Sequence, residues 1–195
     1  MPSSGPASPE LIFDTGALVT LAVDDDLWDL AKARFGGRAR YTLTVRDELK
    51  RLRGNRDVAR FAKKAFNDVA WLGEPVRQDS YEERQAILEF RDIIASGKLG
   101  HPNEHLGEAS CLVYAMGTKC QMIAEDHHAR ALASDCSLVT ASVHTLLHQW
   151  VRAKVISAAD AVAFAYAINA VDRGPTLTAT ELMRGGDAMG RVGCP

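Results

Sequence analysis

Short apolar runs alternate with helical segments along most of this chain, and the alternation restricts the folds open to it. The run that ends at Phe13 leads directly into a helical segment near 15–22, and the runs 120–124 and 137–139 are each followed by a helix. Strands joined through helices lie parallel, and a parallel sheet is covered by helices on both faces. The pattern therefore predicts an α/β fold, a three-layer α/β/α arrangement with a mainly parallel central sheet flanked by helices.

Capping residues and glycines set the predicted element boundaries. Ser80 with Glu83, and Ser157 with Asp160, are spaced as capping boxes, and Gly117 predicts the end of a helix. The predicted elements in chain order are a strand at 10–13, helices at 15–22 and 25–35, an extended piece at 41–44, a helix from the cap Thr44 to Gly54, a helix at 55–68, a strand at 69–72, helices at 80–96 and 104–116, a strand at 120–124, a helix at 126–132, a strand at 137–140, and helices at 142–153 and 157–170.

Length and composition predict one domain. The 195 residues are 47% apolar and 25% charged, which suits a globular protein with a full core. We place the domain at 10–172, after a disordered lead-in at 1–9 and before a loosely attached extension at 173–195. No apolar run approaches the roughly 18 residues that cross a bilayer, and the N-terminus lacks the features of a secretory signal. With no C-x-x-C pair among four cysteines, we expect reduced thiols, a cytoplasmic location and no membrane association.

The net charge of −2 conceals a strongly basic segment between Lys32 and Lys64. This segment holds twelve lysines and arginines against only Asp47, Glu48 and Asp57, a local excess of nine positive charges. Such an excess can attract a polyanion. A solvated helix face is the commoner origin of a charge run, so both interpretations stay open here.

Acidic residues follow two predicted strands and lie on two apolar helices. Asp14 ends the first strand, Glu125 and Asp126 follow the strand at 120–124, and Glu48 and Glu108 lie at or within apolar helix faces. A buried carboxylate costs several kcal/mol unless it is paired or holds a metal. Helix N-capping is the alternative explanation for an acid at a strand end. Ligands bind at the carboxyl ends of parallel strands, so together the acids predict a cluster that a divalent cation such as Mg²⁺ or Mn²⁺ would stabilise.

Four stretches carry these acids in a set order. They read Leu-Ile-Phe-Asp-Thr-Gly-Ala-Leu, then Val-Arg-Asp-Glu-Leu, then Gly-Glu-Ala-Ser-Cys-Leu-Val-Tyr-Ala, then Ile-Ala-Glu-Asp. The ordered set resembles the PIN-domain family of metal-dependent ribonucleases, and within it the VapC-type toxins of bacterial toxin–antitoxin pairs. The resemblance covers about residues 10–170. It implies a PIN-like fold, hydrolysis of RNA phosphodiester bonds, a homodimer and a small antitoxin protein as partner.

The resemblance also implies roles for the acids. The catalytic residues would be Asp14, Glu48, Glu108 and Asp126, and the ligands of Mg²⁺ or Mn²⁺ would include Asp14, Glu108 and Asp126. Glu125 would serve as a fifth acid or as a substitute for one of them.

Three basic residues near these acids are candidate contacts to the RNA backbone. Arg46 and Lys50 flank the second acid along the chain, and Arg130 follows one helical turn after the last. Packing or ion pairing is the alternative for Arg130. Three positions depart from the family pattern, which usually has a small polar residue where Gly16 stands, threonine where Ala124 stands and, more often than glutamate, aspartate where Glu108 stands.

Other functions fit parts of the sequence. His101-Pro-Asn-Glu-His105 matches the zinc-peptidase pattern H-x-x-E-H, but Pro102 and Asn103 predict a helix start here, whereas the pattern needs both histidines on one helix face. A PIN-like module that binds RNA or assembles without cleaving it is a second alternative. A housekeeping RNA-processing nuclease without an antitoxin is a third.

Overall fold

The central sheet has four parallel strands in the order β2-β1-β3-β4. A computed structural model describes residues 11–96, 101 and 103–171, so the predicted segments 1–9 and 173–195 lie outside the described residues. The strands are β1 Leu11–Phe13, β2 Ala39–Arg40, β3 Gln121–Ile123 and β4 Thr140–Ala141. Helices flank this sheet in a three-layer arrangement, which confirms the predicted α/β class and the parallel sheet.

Nine α-helices lie within the described ranges of the chain. They are α1 Thr15–Leu21, α2 Asp25–Phe35, α3 Leu43–Leu52, α4 Ala59–Asp68, α5 Tyr81–Ile94, α6 Leu106–Thr118, α7 His127–Asp135, α8 Val143–Arg152 and α9 Ala158–Asn169. In this part of the chain, none of them has both the length and the apolar character needed to cross a membrane. The capping boxes at Ser80 and Ser157 are confirmed.

The strand order creates a crevice between the ends of β1 and β3. The chain places β2 on one side of β1 and β3 on the other, and ligands in open α/β sheets bind where the order reverses in this way. Phe13 pairs with Ile123, and the backbone N–H of Asp14 donates to the carbonyl of Ile123 at 3.0 Å. Asp14 is therefore fixed at the edge where a site is expected.

An aromatic cluster fixes β1 against the helices. Phe13 has no exposed surface, and its ring lies 5.7 Å from Phe35 and 6.2 Å from Trp71, centroid to centroid. Trp71 packs edge-on against Trp28 at 5.7 Å, and Phe35 contacts Trp150 at the same distance. Each such buried side chain contributes about 1.5–3 kcal/mol, so the residue after Phe13 is held in a rigid setting.

The predicted strand at 69–72 is wrong. Val69–Leu72 forms a 3-10 helix that continues directly from α4. Val69 and Leu72 are both buried, and they lie three residues apart on one side of that turn, while Trp71 packs in the aromatic cluster. A short apolar run fits a strand or a buried helical turn equally well, and no turn residue separates this one from α4.

Two boundaries near the first crossover are also corrected. The extended piece is β2 at Ala39–Arg40 rather than 41–44, and α3 is capped by Thr42 rather than Thr44. The hydroxyl of Thr42 accepts from the N–H of Val45 at 3.2 Å and hydrogen-bonds Ser110 at 2.7 Å. A threonine with partners on two helices is the better cap, which the local sequence does not reveal.

Two later boundaries differ because left-handed residues end the helices. α6 runs past Gly117 to Thr118, and its C-cap residue Lys119 has a φ of 60°. α7 extends to Asp135 and is followed by a turn at Ser137, with φ 61°, so β4 begins only at Thr140. Left-handed conformations are uncommon for residues other than glycine, so sequence alone does not mark these ends.

Candidate active site

Asp14 joins the ends of β1 and β3. Its Oδ1 accepts from the backbone N–H of Ala17 at 2.6 Å, which caps α1, and its Oδ2 accepts from the N–H of Glu125 at 3.3 Å. The side chain is fully buried, and burial is the main cause that raises the pKa of this carboxyl well above its usual value. The charges of Glu108 and Glu125 raise the pKa further. The capping interpretation is thus correct for Asp14, and the same carboxylate lies among other acids.

Glu48 reaches the site from α3 and is only 7% exposed. Its Oε2 accepts a hydrogen bond from the hydroxyl of Thr15, and its Oε1 accepts from the backbone N–H of Gly107 at 2.9 Å. Arg51, one turn further along α3, lies 3.7 Å away. Burial, together with the charge of Glu108, raises the pKa of Glu48 from 4.5 to about 7 despite these favourable contacts.

Glu108 in the first turn of α6 is the common neighbour of the other acids. Its charge raises the pKa of Asp14 and that of Glu48. Its own pKa is raised chiefly by burial and also by the charge of Asp126, whereas His105 lowers it. The structure therefore brings the four predicted catalytic acids into electrostatic contact through one residue.

Glu125 and Asp126 complete this group of acids at the end of β3. Asp126 caps α7 by accepting from the N–H of Ala129 at 2.7 Å. Glu125 accepts from the N–H of Val143 at 2.8 Å, at the first residue of α8. Each side chain thus hydrogen-bonds a helix N-terminus while lying beside the crevice between β1 and β3.

A cleft of about 710 Å³ opens between α3 and the start of α6, and two of the five acids, Glu48 and Glu108, line it. Glu48, Glu104 and Glu108 contribute carboxylates to its wall, and Arg51 and Asn55 also line it. An anionic ligand entering such an acidic cleft needs a positive charge, and Arg51 provides a permanent one.

Gly16 also lines the cleft and lies against two of the acids. A Cβ at this position would lie 3.2 Å from the Cβ of Glu125 and 3.5 Å from Oδ1 of Asp14. The missing side chain therefore leaves room for Glu125 beside Asp14. The glycine at this position, which departs from the family pattern, therefore allows the backbone to approach the acid cluster closely.

None of the three predicted RNA contacts lines the cleft. The guanidinium of Arg46 lies 6.0 Å over the ring of Phe66, and Lys50 is exposed on α3. Arg130 donates from Nη1 to the carbonyls of Ala124 and Glu125 at 2.7 and 2.6 Å, so it supports the backbone after β3. Arg130 therefore contacts other parts of the protein, as in the alternative to an RNA contact.

Sequence reasoning missed Arg51 as a cleft residue. Its spacing of three residues from Glu48 was the available signal, because residues three apart share a helix face. It also missed Thr15 and Gly107, whose importance depends on contacts with a helix far away in sequence.

The zinc-peptidase alternative does not fit the geometry. α6 begins only at Leu106, and His105 lies before it as the N-cap with φ 59°. His101 is an exposed residue in the preceding turn. The two histidines therefore do not share a helix face, as that motif requires.

The carboxylate oxygens of these acids are suitable ligands for a divalent cation, but in this structure they hydrogen-bond other groups of the protein. Across residues 11–96, 101 and 103–171, no group of three or more His, Cys, Asp or Glu side chains is arranged to hold a metal ion. The oxygens of Asp14, Glu48 and Asp126 instead accept hydrogen bonds from backbone or hydroxyl groups. An all-oxygen set of mutually repelling, buried carboxylates is nevertheless the donor set that Mg²⁺ and Mn²⁺ prefer.

The fold and site define an α/β protein with a buried carboxylate cluster at the crevice between its two central strands. No family model, curated protein or solved structure matches the chain. The resemblance to PIN domains therefore depends on the sequence motifs.

Proposed function

We propose that this protein is a metal-dependent endoribonuclease of the PIN-domain type that hydrolyses RNA phosphodiester bonds. We further propose that it acts as the toxin of a toxin–antitoxin pair, with a small antitoxin protein and a second copy of itself as partners. The observation that carries the nuclease proposal is the convergence of Asp14, Glu48 and Asp126 on Glu108, beside a cleft. The toxin, antitoxin and homodimer come from the resemblance alone.

The metal would be Mg²⁺ or Mn²⁺, held by Asp14, Glu108 and Asp126 with Glu125 beside them. The chemistry that such an ion supplies is polarisation of the phosphodiester and activation of a water for in-line attack. The carboxylates do not carry the protons of this reaction in our proposal. Their part is to provide fixed negative charge in a setting that excludes water, where the interaction with a cation is strong.

Arg51 would hold the substrate phosphate in the cleft. Its side chain is about half exposed, and it lies 3.7 Å from Glu48. Its guanidinium would donate charge-assisted hydrogen bonds to a phosphate in the cleft. The basic segment between Lys32 and Lys64 would attract the rest of the polyanion without reading its sequence.

The test is cleavage of a mixed pool of structured RNAs by the purified chain with Mg²⁺, Mn²⁺, Zn²⁺ or EDTA. We expect cutting with Mg²⁺ or Mn²⁺ and none with EDTA. Asp14→Asn, Glu48→Gln and Glu108→Gln should each abolish it. Asp47→Asn is the matched control, because Asp47 neighbours Glu48 on α3 but is exposed. Cutting that survives Asp14→Asn would refute the assigned site.

A non-catalytic RNA-binding module is the second candidate. It is favoured by one observation, that the carboxylates of Asp14 and Asp126 already cap α1 and α7. RNA binding without cleavage under any metal, by a chain shown to be folded and free of inhibitor, would select this alternative over the nuclease.

A further inference from the structure

The start of α6 is capped by a residue from another helix. His105 occupies the N-cap but makes no side-chain capping bond. The second residue of the helix, Gly107, has a backbone N–H that the first turn of a helix leaves without an internal partner. That N–H donates to Oε1 of Glu48, 59 residues earlier in the chain, at 2.9 Å.

Gly107 is glycine because Glu48 occupies the space where a side chain would be. A Cβ at position 107 would overlap Oε2 of Glu48 and lie 2.9 Å from its Cδ, closer than real Cβ atoms approach other atoms. The backbone gives no other reason, since the positive-φ glycines of the described chain are Gly37 and Gly73. Glycine weakens a helix, so its presence here needs the explanation that the carboxylate provides.

Thr15 fixes the second oxygen of the same carboxylate. Its hydroxyl donates to Oε2 of Glu48, and the same hydroxyl would lie 2.9 Å from a Cβ at position 107. Residues of α1, α3 and α6 thus meet at the Glu48 carboxylate and hold it in one position.

Two forces act to move Glu48 out of this position. Its negative charge repels that of Glu108, and Arg51 attracts it towards the exposed side of α3. The hydrogen bonds from Thr15 and Gly107 oppose both. Without them, the carboxylate would turn towards Arg51 and away from the other acids.

We infer that Thr15 and Gly107 are positioning residues that hold the Glu48 carboxylate in the acid cluster, where it contributes to divalent-cation binding. This inference rests on the proposed metal-dependent function. Groups that lie just outside the ligands of a metal, as the Glu48 carboxylate would, typically change metal affinity by about 10- to 100-fold when they are lost.

The experiment measures Mn²⁺ binding by titration calorimetry, with circular dichroism to confirm folding. Gly107→Ala should weaken Mn²⁺ binding by about 10- to 100-fold, because the added methyl group displaces the carboxylate. Gly117→Ala is the matched control, since it lies in the same helix and a Cβ there meets no atom within 4 Å. It should bind Mn²⁺ as the wild type does.

A second pair of variants tests the hydroxyl without a steric clash. Thr15→Val keeps the shape of the side chain and removes the donor, and it should weaken Mn²⁺ binding. Thr15→Ser keeps the donor and should bind Mn²⁺ nearly as the wild type does. In a Glu48→Ala background, neither Gly107→Ala nor Thr15→Val should cause further loss, because both act through Glu48.

Several results would overturn the inference. They are unchanged Mn²⁺ affinity in folded Gly107→Ala, equal losses in Gly107→Ala and Gly117→Ala, or equal losses in Thr15→Val and Thr15→Ser. If the wild type binds Mn²⁺ and Asp14→Asn does not, these results leave the proposed function intact. A wild-type chain that binds neither Mn²⁺ nor Mg²⁺ would overturn both.

Discussion

The backbone N–H of Glu125 donates to Oδ2 of Asp14 at 3.3 Å, so one carboxylate connects the ends of the two central strands. The same carboxylate is fully buried and caps α1 through Ala17. The acid cluster is therefore part of the framework of the sheet as well as a candidate site. Changes to these acids should alter stability and function together, and often in opposite directions.

Glu108→Gln should stabilise the metal-free protein while removing its response to metal. The substitution eliminates the charge that raises the pKa values of Asp14 and Glu48. We expect a gain of roughly 0.5–2 kcal/mol in the free energy of unfolding at pH 7.5, the usual size for a single stabilising substitution, because the repulsion between these carboxylates is relieved. Urea denaturation in EDTA and in Mn²⁺ measures both effects. Asp47→Asn is the control, because Asp47 is exposed on α3. A destabilised Glu108→Gln would contradict the prediction.

Stability of the metal-free protein should fall as the pH rises from about 4.5 to 7. The folded-state pKa of Glu48 is raised from 4.5 to about 7, so the folded protein binds the extra proton. The resulting stabilisation is complete below the pKa of Glu48 in the unfolded chain. It is lost as the pH rises through the pKa of Glu48 in the folded protein, and the free energy of unfolding falls by up to about 3 kcal/mol. Urea denaturation in EDTA between pH 4.5 and 8 tests this.

Glu48→Gln provides the control for that pH dependence. The amide does not titrate, so the fall in stability should be smaller in this variant by the contribution of Glu48. An identical pH profile in the wild type and in Glu48→Gln would show that Glu48 does not titrate with a raised pKa.

Arg51→Met should weaken RNA binding about tenfold, the scale of one charge-assisted contact to a phosphate. Methionine keeps the unbranched apolar part of the arginine side chain and removes its charge. The slope of log affinity against log salt concentration should fall by about 1. Fluorescence anisotropy with Asp14→Asn as the non-cleaving background measures both quantities. Arg84→Met is the control, because Arg84 is an exposed, ion-paired arginine on α5. Equal effects of the two substitutions would argue against a specific contact.

Gly16→Ala should be more damaging when Glu125 is present than when it is absent. The new Cβ would approach the Cβ of Glu125 to 3.2 Å, which forces that side chain to move. We expect a coupling of about 1 kcal/mol in the free energy of unfolding between Gly16→Ala and Glu125→Gly, because glycine removes the Cβ that the new methyl group meets. A double-mutant cycle by urea denaturation measures it, and additive effects would show that the two positions do not compete for space.

The sequence was sufficient to predict the parts of the site that depend on local order. Asp14 and Glu125 follow short apolar strands, and in a parallel sheet those ends meet at one edge. Val69–Leu72 was misassigned because four apolar residues carry no periodicity that separates a strand from a helical turn.

The remainder depends on packing between elements that are distant in the chain. The docking of Glu48 on Gly107 joins α3 to α6, and neither helix sequence indicates it. Arg46 was predicted to face RNA, but the ring of Phe66 on α4 lies beneath its guanidinium. Such contacts follow from the tertiary arrangement, which local spacing does not determine.

Two of the acids cap helices, so a chain that lost the proposed activity would still need capping residues at these positions to keep its fold. Asparagine caps a helix about as well as aspartate, whereas alanine costs roughly 0.5–2 kcal/mol at such a position. A descendant that had abandoned chemistry would thus be expected to carry asparagine in place of Asp14 and Asp126, since the caps of α1 and α7 would still be needed. The polar capping residues of the candidate site would therefore persist after the proposed chemistry was lost.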